Sequence, residues 1–290
     1  MILITGANGH LGSAAIDQLL KKNPDADIAG LVRSEEKGKE LKAKGVELRF
    51  GDYLDPASLE KAFDGIDVLA FISSGTLKDR QAQHKNVVDA AKKKGIRHIF
   101  YTGISKADER LSPLAFDHDA TEKMIKDAGI PFTICRNTIY LEFFPMFWGN
   151  AIETGMWTFP GGGYKQNLAL RSEMAEALGN ALADHEKHQN KIYDFAASQA
   201  YTFDEYADAM SEAAGKKITY TDVSVDAFVE QLKKAGLPDE QIGMTQIVST
   251  LFANGGAHLE SNDMANLLGR HPKNILKFVK EAVTSKNENK

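Results

Sequence analysis

Met1-Ile2-Leu3-Ile4-Thr5-Gly6-Ala7-Asn8-Gly9-His10-Leu11-Gly12 is the stretch from which the rest of the chain is read. A short apolar run enters three glycines. Beyond Gly12, Ala14, Ala15, Ile16, Leu19 and Leu20 recur at three- and four-residue intervals, the period of an amphipathic helix. The order is therefore strand, tight turn, helix. Gly6 would let the backbone reverse where the strand ends, and Gly9 would leave room for a pyrophosphate. Gly12 would allow the helix to pack close to its strand, while the helix N-terminus offers free N–H groups and the positive end of its dipole. The spacing is GxxGxxG, a loose match to the dinucleotide fingerprint GxGxxG, and the glycines alone suit an ordinary turn equally well. Their place between strand and helix makes Gly6, Ala7, Asn8, Gly9, His10, Leu11 and Gly12 candidates for holding a dinucleotide.

Composition narrows the surroundings of this turn. The chain has 290 residues, 43% hydrophobic and 26% charged, with a formal charge of −5. That balance suits a globular core and gives no basic field for nucleic acid or an anionic membrane. Cys135 is the only cysteine, so neither an intrachain disulfide nor a cysteine zinc cluster is expected. The first strand begins at once, so no signal peptide is expected, and no apolar run approaches the roughly 20 residues of a membrane span. A cytoplasmic protein is expected.

Working outward, strand-like segments at 28–32, 46–50, 68–72, 99–102 and 132–135 alternate with helix-like ones at 34–44, 58–63, 79–94 and 113–128. The expected fold is α/β, a doubly wound, Rossmann-like parallel sheet whose ligand lies beyond the strands' carboxyl ends. After Arg136 the rhythm breaks into an aromatic-rich segment, 140–157, and the loop Pro160-Gly161-Gly162-Gly163. A helix at 171–184 and a strand at 191–195 return to the sheet. From Tyr201 short helices dominate, with one strand at 217–221 and a polar, frayed tail at 285–290. We expect a dinucleotide-binding domain of residues 1–136 with 164–197, and a smaller, mostly helical cap of 137–163 with 198–290.

The cofactor's identity is read at the end of the second strand. About 20 residues past Gly12, where an NAD-type fold places an acid for the ribose 2′-hydroxyl, the chain has Arg33. An arginine there would pair with a 2′-phosphate, helped by Lys37, so NADP(H) is the expected cofactor. Asp52 would touch the adenine edge or simply form a turn. Ser73-Ser74-Gly75 and Tyr101-Thr102-Gly103 follow the fourth and fifth strands and would face the nicotinamide half. Tyr140, Phe143, Phe144, Phe147, Trp148 and Trp157 would either roof a flat acceptor or fill a core. His185 and His188 lack a third ligand, and no metal is expected.

A set of ordered motifs carries a family resemblance. Thr5–Gly12, Leu31-Val32-Arg33, Gly51-Asp52-Tyr53, Gln83-His84-Lys85-Asn86-Val87-Val88, His118-Asp119-Ala120-Thr121-Glu122-Lys123 and Arg136-Asn137-Thr138-Ile139-Tyr140 resemble the NmrA-like group of atypical short-chain dehydrogenases. Within it the chain most resembles the quinone and triphenylmethane-dye reductases, from Met1 to about Val283, including Trp157 and Tyr201-Thr202-Phe203-Asp204-Glu205. The resemblance implies that Asn137, Thr138, Ile139, Tyr140, Leu141 and Glu142 line cofactor and substrate, and that Arg171 faces the cleft. Ordinary short-chain dehydrogenases carry a YxxxK pair with a Glu four residues beyond the Lys. Anchored on Glu122, that pair falls on Leu114 and His118, so the usual tyrosine acid is missing. Asn137, Tyr140 and His118 remain as catalytic candidates. His118 would orient the nicotinamide ribose, supply a proton, or be a plain helix histidine partnered by Glu122.

The implied activity is NADPH-dependent hydride transfer to a quinone-like or other conjugated aromatic acceptor, which leans less on a positioned acid. The alternative is a non-catalytic NADP(H)-binding redox sensor acting through a protein partner. A nucleotide-sugar epimerase or reductase fits poorly without the tyrosine. The expected partner is a small-molecule electron acceptor, with no nucleic acid or membrane, and a homodimer is one expected assembly.

Overall fold

The computed structural model describes residues 1–288. In chain order its strands are β1 (Ile2–Ile4), β2 (Ile28–Val32), β3 (Glu47–Phe50), β4 (Val68–Ile72), β5 (His98–Ile104), β6 (Phe132–Asn137), β7 (Met156–Phe159), β8 (Lys191–Phe195) and β9 (Thr219–Asp222). The helices up to the last strand of the main sheet are α1 (His10–Lys22), α2 (Lys39–Ala43), α3 (Pro56–Ala62), α4 (Arg80–Lys93), α5 (Pro113–Asp127), α6 (Ala151–Thr154) and α7 (Arg171–Ala183). They are followed by α8 (Phe203–Ala214), α9 (Val225–Lys234), α10 (Asp239–Ala253), α11 (Asp263–Leu268) and α12 (Ile275–Glu288).

Seven strands form a parallel sheet in the order β3-β2-β1-β4-β5-β6-β8. Every residue of β2 and β5 is buried, as a strand covered on both faces requires. Ile4, Cys135 and Phe195 point to one face, where α1, α7 and α11 contribute Ile16, Leu178 and Met264. Leu3, Tyr101 and Ile134 point to the other, packed with Leu59 of α3, Val88 of α4 and Ile125 of α5. The chain reverses direction across the sheet between β1 and β4, so the ends of β1, β4, β5 and β6 stand in a row beyond this switch point. A third core is built from Phe144, Trp157, Phe203, Tyr206, Phe252 and Val279, with Ile104 of β5 and Ala115 of α5 packed into it.

Several expectations are corrected. The charged 34–44 segment is not one helix. A 3-10 turn at Glu36–Gly38 precedes α2, and Gly38 lies where a Cβ would come 2.6 Å from Leu48 Cδ1. β5 and β6 run further than 99–102 and 132–135, so Asn137 ends a strand rather than following it. The aromatic-rich segment contains β7, which pairs in parallel with β9 as a second small sheet. The segment 198–290 is not wholly cap, because Met264 of α11 lies in the core against the main sheet. The tail expected to fray continues as helix to Glu288, and residues 289–290 lie outside the described residues.

α4 and α5 are held to the sheet partly through buried polar groups. Arg80 Nη1 lies 3.2 Å from His118 Nε2, and His118 Nδ1 lies 2.6 Å from the Tyr101 hydroxyl. A guanidinium can only donate, so Nε2 accepts and the His118 proton sits on Nδ1, facing Tyr101. The Ser74 amide donates to His84 Nε2 at 2.9 Å, so His84 also carries its proton on Nδ1, directed at Thr121 Oγ1 2.8 Å away. Burial, reinforced by Arg80, pushes His84 down to about 3, and burial with Arg80 and His84 nearby holds His118 well below the usual histidine range. His98, buried near His185 and His188, is lowered to about 4. α5 is tied to β6 by a fork in which Arg136 Nε and Nη2 each meet a Glu122 oxygen at 2.8 Å. Such a buried pair is costly to break from one side.

These histidines are neutral when folded and titrate near 6.5 when unfolded. Their contribution is therefore complete above about pH 6.5 and lost as the pH falls towards their folded values. Urea unfolding between about pH 7.5 and 4.5 should show stability falling below about pH 6.5, by up to about 1.4 kcal/mol per pH unit for each of His84 and His118. Stability constant across that range would contradict the assignment. At the turn, a Cβ on Gly12 would lie 2.9 Å from the Gly6 carbonyl carbon and 3.0 Å from Ala7 Cα. Gly12→Ala should therefore destabilise by about 1–3 kcal/mol, read as a lower thermal midpoint.

Candidate functional site

The glycine turn is built as a cradle for an anion. Gly6 has φ +57°, a conformation that favours glycine, and the Gly9 amide closes the turn on the Gly6 carbonyl at 2.9 Å. Gly9 is the N-cap of α1 and supplies no side-chain cap, and the first turn contains no acid. The first-turn N–H groups thus keep their donors for a ligand. Ala7 and Leu11 are buried and can offer only backbone, whereas Asn8 and His10 are exposed at the mouth. Gly12, packed on the turn itself, is under tighter steric constraint than Gly9, where a Cβ would meet only Gly6 O at 3.1 Å.

Beyond β2, Arg33 and Lys37 are exposed and have no hydrogen-bond or ion-pair partner among the described residues. Asp52 forms a local turn, its Oδ1 accepting from the Leu54 amide at 2.9 Å and its own amide donating to Ser58 Oγ. After β4, the Ser73 amide donates to Thr102 Oγ1 at 3.0 Å. Ser74 turns inward, with its amide on His84 and its hydroxyl donating to Gln83 Oε1 at 2.6 Å. Gly75 is exposed. Tyr101 is corrected as a cofactor contact, because its side chain points to the α5 face and its hydroxyl is engaged by His118. Gly103, beyond it, is backbone alone.

The end of β6 carries buried polar atoms that lack partners. Asn137 Nδ2 donates to the Tyr140 hydroxyl oxygen at 3.4 Å. Asn137 Oδ1 and Thr138 Oγ1 have no partner, though the residues are only 6% and 2% exposed. Buried polar atoms are normally satisfied, so two orphans on adjacent residues at the end of a sheet strand suit a polar ligand. Ile139 and Leu141 are buried apolar residues, and Leu141 is fixed through its amide to the Ala169 carbonyl. Glu142 receives the Arg171 amide on both carboxylate oxygens at 3.0 and 3.1 Å, capping α7 from a distance. The Arg171 guanidinium lies over Tyr140 and Phe143, 5.3 and 5.4 Å from the ring centres. Burial raises the Tyr140 phenol, against the lowering influence of Asn137 and Arg171.

The aromatic roof is smaller than expected. Phe143 is 41% exposed and stands beside Tyr140. Phe144 and Trp157 are 0% and 1% exposed within the cap core, as is Trp148, and the Trp157 Nε1–H donates to the Phe147 carbonyl. Their apolar area drives the cap together and does not line an open wall. His118 is likewise displaced from its expected roles. Both ring nitrogens are engaged inside the α4–α5 seam, and Glu122, its expected partner, is committed to Arg136. Leu114, at the usual tyrosine position, packs against the cap core. Sequence reading assigned no role to Arg80, His84 or Thr121. His84 lay within a quoted motif, but its partner is a loop amide, which leaves no mark in sequence. No group of three side chains suited to a metal occurs among the described residues.

Comparison with known proteins gives the family. Residues 1–273 match the NmrA-like family model. Quinone oxidoreductase 2 of Escherichia coli K12 is 36% identical over 95% of this chain and 96% of its own. Its structure, described as an NADPH-dependent quinone oxidoreductase complexed with NADPH, superposes with a TM-score of 0.90 over 97% of this chain and 99% of that one, at 33% identity. Triphenylmethane reductase of Citrobacter sp., solved with NADP(H), gives a TM-score of 0.88 and 38% identity over 97% of this chain and all of that one. The NAD(P)H azoreductase of Xenophilus azovorans is 25% identical over 82% of each chain. With its turn, sheet and cap matched over nearly the whole length, this chain belongs to the NmrA-like family.

Proposed function

We propose that the protein is an NADPH-dependent oxidoreductase that passes a hydride to quinone-like or other conjugated aromatic acceptors. The observation that carries this reading is the wall at the end of β6, where Tyr140, the unsatisfied Asn137 Oδ1 and the Arg171 cation stand together while Leu114 replaces the usual acid. Two of the relatives above were solved with NADPH or NADP(H). When bound, the cofactor supplies the hydride.

The chain's own residues do the rest. First-turn amides of α1 receive the pyrophosphate, and unpaired Arg33 with Lys37 meets the 2′-phosphate. Ser73, Gly75, Thr102 and Gly103 border the nicotinamide half, and Asn137 with Thr138 offers polar atoms to it. Tyr140 and Phe143 present ring faces against which a flat acceptor stacks, supplying proximity and excluding water. The Tyr140 oxygen accepts from Asn137, leaving its hydrogen to donate to oxyanion character developing on the acceptor. Water then completes protonation of the reduced product. We place the protein in the cytoplasm, acting on small molecules; the net charge of −5 offers no basic field to nucleic acid or an anionic membrane.

Arg33→Ala should weaken NADPH binding about tenfold or more, from the roughly 1.5–3 kcal/mol of a charge-assisted contact, while leaving NADH binding unchanged. Fluorescence titration of both cofactors checks it, and equal losses would contradict the assignment. Tyr140→Phe should lower kcat for a benzoquinone by less than about a hundredfold while NADPH affinity holds, because the phenol assists without being an obligatory acid. NADPH binding with no turnover of any quinone by the wild type would instead be the behaviour of the redox sensor.

A further inference from the structure

The motif Gln83-His84-Lys85-Asn86-Val87-Val88 has no part in the function as described so far, yet its first two side chains reach back to the loop after β4. His84 is fully buried on α4. Its Nε2 accepts the Ser74 amide at 2.9 Å, and its Nδ1–H is directed to Thr121 Oγ1 at 2.8 Å, which itself donates to the Asp117 carbonyl at 2.9 Å. Gln83 Oε1 accepts the Ser74 hydroxyl at 2.6 Å, and Arg80 Nε donates to the Thr76 carbonyl at 2.9 Å. Three successive inward-facing residues of one helix thus grip a single loop, and at Ser74 they take both the backbone amide and the side-chain hydroxyl.

We propose that His84 is a positioning residue of the cofactor site, whose Nε2 fixes the Ser74 peptide and so sets the Ser73-Ser74-Gly75 backbone against which the nicotinamide half rests. This rests on the NADPH reading above. The grip consumes both Ser74 donors, and the Ser73 amide is held by Thr102, which leaves the Ser73 hydroxyl and the Gly75 amide as the loop's donors towards the cofactor. An acceptor nitrogen is needed, and a lysine, arginine or protonated histidine at this position could not accept the amide. The surroundings favour the neutral ring. Arg80 from its own helix, His118 with the Asp117–Thr121 turn from α5, and the Tyr101 and Phe71 rings from β5 and β4 enclose it. The two contacts of the imidazole divide the work. Nδ1 joins α4 to α5 and serves stability, whereas Nε2 joins α4 to the loop and serves the site.

That division gives a test by paired variants. In His84→Gln the longer amide brings an acceptor oxygen to the place of Nε2; in His84→Asn the shorter one reaches only the place of Nδ1. Both lose ring packing and should lose thermal stability to a similar extent. His84→Gln should keep NADPH affinity within about threefold of wild type, while His84→Asn should weaken it about tenfold, a difference of roughly 1.4 kcal/mol. Equal losses in the two variants would make His84 a purely structural residue and overturn the proposal. An independent measurement needs neither variant nor cofactor. In 15N-labelled wild-type protein, a scalar coupling across the hydrogen bond should join the Ser74 amide nitrogen to His84 Nε2, with slow exchange of the Ser74 amide. Its absence, with a rapidly exchanging amide, would also overturn the proposal. If wild-type protein bound no NADPH yet showed this coupling, the cofactor reading would fail while the His84–Ser74 clamp stood as a structural device of the loop.

Discussion

The hydrogen bond from the Gly9 amide to the Gly6 carbonyl, 2.9 Å long, is the constraint on which the rest of the molecule depends. It closes the reversal between β1 and α1 at a left-handed Gly6 and leaves Gly12 in direct contact with the turn it follows. Because β1 lies inside the sheet, between β2 and β4, this one closure sets where the switch point opens. It also aims the uncapped end of α1 across the strand ends. A side chain at Gly12 would push the helix from the sheet, so binding and folding place the same demand on the same residue.

Desolvation governs the other half of the row. The groups around α4 and α5 are polar and buried, and they are tolerable there because each donor meets an acceptor with the histidines neutral. At the end of β6 the accounting deliberately fails to close, since Asn137 Oδ1 and Thr138 Oγ1 stay unpaired. Satisfied polarity on one side supports structure; the unsatisfied polarity on the other is where the proposed function puts its ligand.

Much of this was legible in the sequence, for physical reasons that differ by element. Buried parallel strands read as short apolar runs, and so the α/β order and the glycine turn were visible from residues 1–136. Arg33 stood out because its position normally takes an acid. β7 was not legible, since Met156–Phe159 reads as one more aromatic stretch and its partner β9 lies some 60 residues on. Trp157 and Phe144 carried the same ambiguity; large aromatics suit a pocket or a core, and only packing showed that they build the cap. His118 was misplaced because its partners, Arg80 and Tyr101, come from other elements, whereas helix spacing offered only Glu122. The pairing of His84 with a loop amide was invisible for the same reason.

Leu114 in the place of an acid, and His118 locked with its proton towards Tyr101, leave the α5 helix without a side chain to protonate an acceptor. Hydride transfer as proposed therefore needs no titrating acid from this helix. Single-turnover oxidation of 4-deuterated NADPH by a benzoquinone, followed from about pH 6 to about pH 9, tests it most directly. The expected result is a primary isotope effect on a rate that stays level with pH. A rate falling through an inflection near neutrality, abolished by His118→Gln, would contradict it and make His118 a general acid.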